Sequence, residues 1–145
     1  MGEVLAVDLE RLHAVYSVLP EFANREPLAS LRQRAGERYL ALVYCVDGRD
    51  VGFKLGFALN AEEFYSWIGG VLPKARGTGA AQAMLEFQEA WARQQGFQRL
   101  RVKSMNRYPA MLRLLIRNSY QIDGFTPGDG RVGGKIHFYK SLIDS

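Results

Sequence analysis

Val71-Leu72-Pro73-Lys74-Ala75-Arg76-Gly77-Thr78-Gly79-Ala80-Ala81 joins an apolar stretch that reads as a strand to an amphipathic stretch that reads as a helix. A glycine-rich turn at a helix start leaves backbone N–H groups without intrahelical partners, and the helix dipole adds partial positive charge there. Such a terminus suits an anion, phosphate above all. Gly77 and Gly79 lack a Cβ, so a ligand can come close to their backbone. No carboxylate occurs over residues 76–85, although a first helical turn ordinarily favours Asp or Glu. Other phosphate loops fit less well. A G-x-G-x-x-G fingerprint would need glycine where the chain has Gln82, and a G-x-x-x-x-G-K-[ST] loop is absent.

The loop sits in a chain of 145 residues, the length of one domain. Hydrophobic residues make up 48% and aromatics 12%, enough for a single core. No apolar run approaches the ~20 residues of a bilayer span, and the N-terminal MGEVLAVDLERLH lacks the pattern of a secretory signal. Cys45 is the single cysteine, which excludes an intrachain disulfide and a multi-cysteine metal site. It falls in an apolar run and reads as a buried thiol, with a cytoplasmic setting expected. The net charge of +4 raises nucleic acid as a partner. The arginines are scattered, however, and no five-residue basic run exists, so neither nucleic acid nor membrane is expected. Lys74, Arg76, Arg107, Arg113 and Arg117 instead cluster in sequence around the proposed anion site.

Outward from the loop, the elements follow from local signals. Residues 4–7 read as a short strand, and Asp8 is placed to cap a helix carrying Leu9, Leu12, Val15, Tyr16 and Leu19. Pro27 is placed to start a second short helix. Residues 40–46 and 51–59 read as strands joined by an Asp47-Gly48 hairpin turn, followed by a strand over 63–72. A helix over 78–95 puts Ala80, Met84, Phe87 and Trp91 on one face and stops at Gly96. A strand over 97–104, joined through that helix, is expected to run parallel to its predecessor. Pro109 opens a last helix to about residue 118, and strands near 120–125 and 135–142 close the chain.

The order is β-α-α-β-β-β-α-β-α-β-β, an α+β fold with a mixed sheet. Arg76, Gly79 and Ala81 form R-x-x-G-x-A, preceded by V-x-P at Val71 and Pro73. Loop and element order together resemble the GCN5-related N-acetyltransferase (GNAT) family over essentially the whole chain. The resemblance implies acetyl-CoA as co-substrate and no metal. It implies that the fourth and fifth strands splay to admit pantetheine, near Gly69-Gly70 and Val71. The N–H groups of Arg76, Gly77, Thr78, Gly79, Ala80 and Ala81 would then hold the pyrophosphate. Asn106 matches a coenzyme-contacting position; capping the following helix is its alternative role. Paired glycines at 69–70 could equally accommodate a neighbouring aromatic.

The implied reaction is direct attack of a primary amine, of a small molecule or a peptide, on the thioester. A lysine-like amine with a pKa of about 10.4 must first lose a proton. Glu63, on one strand face with Tyr65 and Trp67, is the expected general base, with Glu62 a lesser candidate; a solvated strand end would also explain Glu63. Many family members protonate the departing thiolate from a tyrosine in an L-Y-x-x-x-G-F segment. This chain departs there: the position falls on Leu115 or Arg113, depending on where the alignment is anchored. Tyr108 is the nearest substitute acid, with Tyr65 and solvent as alternatives. His13 and His137 show no catalytic pattern. Phe22, Tyr65, Trp67 and Phe125 are expected near the acceptor, along with Glu21 and the turn over 127–130. A homodimer is possible in this family. A non-catalytic acyl-CoA-binding module, which kept the loop and lost the acid, is the alternative to an enzyme.

Overall fold

The computed structural model describes residues 2–20, 22, 26–129 and 133–143. Glu21 and Gly130, two of the residues expected near the acceptor, lie outside them. Local chemistry sets most element ends. Asp8 accepts the Arg11 N–H at 2.8 Å and starts α1 (Leu9–Tyr16). Pro27 is the residue before α2 (Leu28–Ala35). Asp47 and Gly48 both have positive φ, the signature of a two-residue hairpin turn. They link β2 (Tyr39–Val46) to β3 (Arg49–Ala58).

The remaining elements are β1 (Gly2–Ala6), β4 (Glu63–Val71), α3 (Ala80–Gln94), β5 (Arg99–Ser104), α4 (Pro109–Arg117), β6 (Gln121–Thr126) and β7 (Lys135–Ser141). They form a seven-stranded sheet in the order β1-β2-β3-β4-β5-β7-β6. Every neighbouring pair is antiparallel except β4–β5, the pair joined through α3. The fold is the expected mixed α+β architecture, with each element shifted by no more than a few residues.

Two cores lie on opposite faces of the sheet. On one, Leu9, Leu12, Val15 and Tyr16 of α1 and Leu31 of α2 bury Val43, Phe53 and Leu55. A bidentate pair from Arg11 to Asp50, at 2.8 and 2.9 Å, pins α1 to β3. On the other face, Met84, Leu85 and Ala92 of α3 and Leu114 and Leu115 of α4 pack on Phe64, Leu100 and Phe138.

The inward face of α3 differs from the one its apolar periodicity suggests. Phe87 is 36% exposed, while Gln88 and Glu89 are buried. The helix is rotated because Glu89 has partners inside: Tyr120 donates its hydroxyl to Oε2 at 2.8 Å and Lys140 donates to Oε1 at 3.0 Å. Lys54 of β3 is also buried, and burial lowers its ammonium pKa to about 8. Gln88 finds no hydrogen-bond partner among the described residues. No helix of the described residues is long and apolar enough to cross a membrane.

Candidate active site

The parallel pair parts halfway along. β4 and β5 are in register only over residues 63–66 against 99–102. Beyond that point β4 continues to Val71 and β5 to Ser104 without pairing to each other. Trp67 marks the fork. Leu55 pairs with Ile68 and Gly56 with Ser66, so Trp67 is the extra residue of a β-bulge that bends the strand. Gly69 lies just beyond it, where a Cβ would stand 3.1 Å from the Phe53 carbonyl oxygen. Close approach of the β3 backbone thus explains this glycine without an aromatic neighbour.

At the open end of β4 a 3-10 turn, Pro73–Ala75, leads into the glycine loop. Arg76 folds back and donates from Nε to the Val71 carbonyl at 3.1 Å, and Thr78 donates its hydroxyl to the Ala75 carbonyl. Gly77 and Gly79 have φ of 79° and 86°, a region that favours glycine. A Cβ at either would meet nothing within 4 Å, so the loop surface is open. Gly79 is the N-cap of α3 and offers no side-chain cap, and the first turn holds no acidic residue. Among the described residues, the N–H groups of 77–82 donate to no backbone carbonyl; the ladder begins with Ala83 to Gly79 at 2.9 Å. Ala80 is buried and packs in the core beneath the loop. A row of free donors at a positive helix end is an anion cradle.

Because β4 and β5 run parallel, the segment after β5 lies at the same edge of the sheet as this loop. Asn106 stands there in an exposed turn, and it does not cap α4. Tyr108 occupies that cap position, 38% exposed, with the Arg107 guanidinium 5.1 Å over its ring. Leu115 is buried in the core, and the Tyr120 hydroxyl is committed to Glu89.

Glu63 does not stand as a free base. Asn60 donates to Oε1 at 3.1 Å, while Arg99 and Arg101 of β5 donate to Oε2. The Asn60 hydrogen bond and then the Arg101 pair hold its carboxyl at about 2. A carboxylate so depressed is a poor acceptor for an ammonium proton near neutrality. Replacing Glu63 with Gln is expected to cost about 1 kcal/mol at pH 7, the upper range for solvent-facing pairs. Because the folded-state pKa is lowered, that contribution is present above the ordinary carboxylate range and disappears as pH falls toward 2. Thermal melts of both proteins across pH 2–7 check this. A stability gap that persists undiminished at pH 2 would mean the ion pairs do not supply it.

On the sheet face that carries α1 and α2, beyond those helices, a cavity of about 240 Å³ lies over the fork. Tyr65, Arg101, Lys103 and His137 line it, with Arg34 and Phe57 at its side. Burial raises the Tyr65 hydroxyl above its ordinary pKa. His137 is bonded to Thr126 at 2.7 Å. Trp67 stands beside the cavity against Phe57, at a ring separation of 5.8 Å. The other aromatics expected near the acceptor go elsewhere. Phe22 packs on Tyr16 and Phe53 within the helical core, and Phe125 is 56% exposed on the edge strand. His13 is bonded to the Glu26 carbonyl and to Ser17. Arg34, Arg101, Lys103 and His137 carry no motif; alternation along β5 and β7 puts pairs of them on one face, but only the sheet register brings them together.

An anion cradle at a helix start, beside a fork between two parallel strands, is the architecture of an acyl-CoA-dependent acyltransferase. The model of the acetyltransferase (GNAT) family matches residues 8–115, and the chain belongs to that family. Solved structures superimpose along almost its full length. The ribosomal-protein-S18-alanine N-acetyltransferase of Escherichia coli is 17% identical, with a TM-score of 0.85 over 100% of this chain and 96% of its own. Ard1 of Thermoplasma volcanium is also 17% identical, with a TM-score of 0.84 over 99% of each chain. A GNAT acetyltransferase of Elizabethkingia anophelis, solved with acetyl-CoA bound, is 11% identical, with a TM-score of 0.77 over 97% of each chain. No curated protein matches in sequence. Among the described residues no group of three His, Cys, Asp or Glu side chains could hold a metal ion.

Proposed function

We propose that the protein is an acetyl-CoA-dependent N-acetyltransferase acting on a primary amine of a small molecule or peptide. The observation that carries this is the open, uncapped start of α3 beside the fork between β4 and β5. The N–H groups of Gly77, Thr78, Gly79, Ala80 and Ala81 hold the pyrophosphate, and the β4 backbone around Val71 binds pantetheine in the fork. The Arg76 N–H, expected in the cradle, instead donates to the Pro73 carbonyl at 3.4 Å and closes the turn before it. Asn106 contacts the coenzyme from the β5 side. The ammonium first loses a proton to solvent. The amine lone pair then attacks the thioester carbonyl carbon, the C–N bond forms, the nitrogen gives up a second proton to solvent, and the C–S bond breaks as the oxyanion collapses to the amide. The thiolate takes a proton from Tyr108 or from solvent, and coenzyme A leaves. Glu63 is assigned a positioning role: it joins β4 to β5 at the first of their paired residues, through Arg99 and Arg101, and so holds Tyr65 and Arg101 in place.

The absence of a tyrosine at the family's usual acid position, which falls on the buried Leu115 or on Arg113, favours a second reading, a coenzyme-binding module without turnover. Two measurements decide. Calorimetric titration with acetyl-CoA is expected to show micromolar binding, and thiol release in the presence of amines is expected to exceed the rate of thioester hydrolysis. Binding without amine-dependent release would establish the module. Absence of binding would remove both readings.

A further inference from the structure

The cavity over the fork brings three basic side chains together among aromatic and aliphatic ones. Arg34 comes from α2, Arg101 and Lys103 from β5 and His137 from β7, and no Asp or Glu among the described residues lines it. Arg101 is neutralised by Glu63 and by Asp123, the latter at 2.9 Å. Arg34 and Lys103 are not neutralised: no described carboxylate lies within ion-pair distance of either. Their close neighbours are rings. The Arg34 guanidinium lies 4.9 Å over Trp67 and 5.8 Å over Phe57, and the Lys103 ammonium lies 5.8 Å from the Tyr65 ring. A guanidinium stacked on an aromatic face keeps its in-plane N–H donors for bidentate bonding to a carboxylate or phosphate.

We infer that the acceptor is an amine that also carries an anionic group, carboxylate or phosphate, and that Arg34 and Lys103 bind that group beside the fork. This rests on the acetyl-transfer reading and supplies its substrate class. A polycationic amine would face like charge from Arg34 and Lys103, which no described carboxylate pairs. The same charges assist the chemistry. A positive field disfavours the ammonium form and lowers the amine pKa, which yields free amine without a dedicated carboxylate base. The volume agrees. At about 240 Å³ the cavity lies below the ~300–1,000 Å³ of drug-sized sites, and it suits an acceptor of amino-acid size or the end of a peptide.

The test compares matched acceptors with saturating acetyl-CoA: amino acids, their carboxamides, aminoalkyl phosphates and spermidine. Acids or phosphates are expected to exceed amides and spermidine by about tenfold or more in kcat/KM, the size of one charge-assisted contact. Whichever anion leads identifies the source. Arg34→Gln with Lys103→Gln is expected to bring the anionic acceptors down to the level of the amides. Acetyl-CoA affinity, titrated in parallel, reports that the double variant is folded. Equal or better turnover of amides or spermidine overturns the inference while leaving the acetyltransferase standing. A binding measurement needs no turnover: N-acetylphenylalanine and its amide are titrated against tryptophan fluorescence, with Trp67 beside the cavity as reporter. Preference for the acid that vanishes in the double variant supports the anion site even if coenzyme binding fails; no preference overturns it.

Discussion

Gly79→Asp is expected to lower acetyl-CoA affinity by at least about 100-fold, or roughly 3 kcal/mol. The position combines three conditions that make the effect large and specific. Its φ of 86° is one that Asp and Asn tolerate better than other side chains. A Cβ there meets nothing within 4 Å, so the substitution displaces no core atom. It is the N-cap of α3, so the new carboxylate bonds to the very N–H groups proposed to hold the pyrophosphate. Two unit charges about 4 Å apart interact by about 4 kcal/mol at an effective dielectric of 20, and the pyrophosphate brings more than one. Gly79→Asn separates charge from shape: it can cap the helix too but carries no charge, and a few-fold loss is expected. Calorimetric titration of the three proteins, with melting curves alongside, reads the result. Near-normal affinity in Gly79→Asp would place the coenzyme elsewhere and remove the loop assignment.

How much of this was readable in the sequence depended on how local each cause is. Asp8, Asp47-Gly48 and the Gly77–Gly79 pair act within their own turn, and their roles appear directly in residue type and spacing. The parallel pair followed from a strand-helix-strand order, because such crossovers have one economical geometry. The catalytic assignment of Glu63 failed to anticipate its partners because Arg99 and Arg101 arrive from a strand about forty residues away. Register alone brings them to it. The basic cavity was hidden for the same reason, since α2 supplies Arg34 and β5 supplies Arg101 and Lys103, each of which looks solvated in isolation. The rotation of α3 was hidden differently: apolar periodicity put Phe87 on the inward face with Ala80, Met84 and Trp91. Glu89 is inside because Tyr120 and Lys140 arrive from later in the chain to bond it.

That buried carboxylate should be the most sensitive polar residue for stability. Glu89→Ala is expected to cost about 3–5 kcal/mol, the range for removing one partner of a buried charge cluster. The side chain is 8% exposed and joins α3 to β7 through Lys140 and to the start of β6 through Tyr120. Its loss leaves the Lys140 ammonium without its counter-charge and the Tyr120 hydroxyl without its acceptor. Lys54 suffers as well, because Glu89 is the one charge that offsets its burial. This gives a pH signature. The Lys54 pKa is about 8 in the folded protein, below its ordinary 10.5. Between these values the unfolded chain binds more protons than the folded one, so this residue's contribution to stability rises with pH. Without Glu89 the folded-state pKa falls further, so the rise should start at lower pH in Glu89→Ala than in the parent. The coenzyme loop stands nine residues away, about 14 Å along the helix, so acetyl-CoA affinity of the folded fraction should change little. Urea titrations at pH 7 and pH 9 measure both effects. A loss under 1 kcal/mol with no shift in pH dependence would mean that solvent already neutralises the cluster, and that α3 is held in place by its apolar contacts alone.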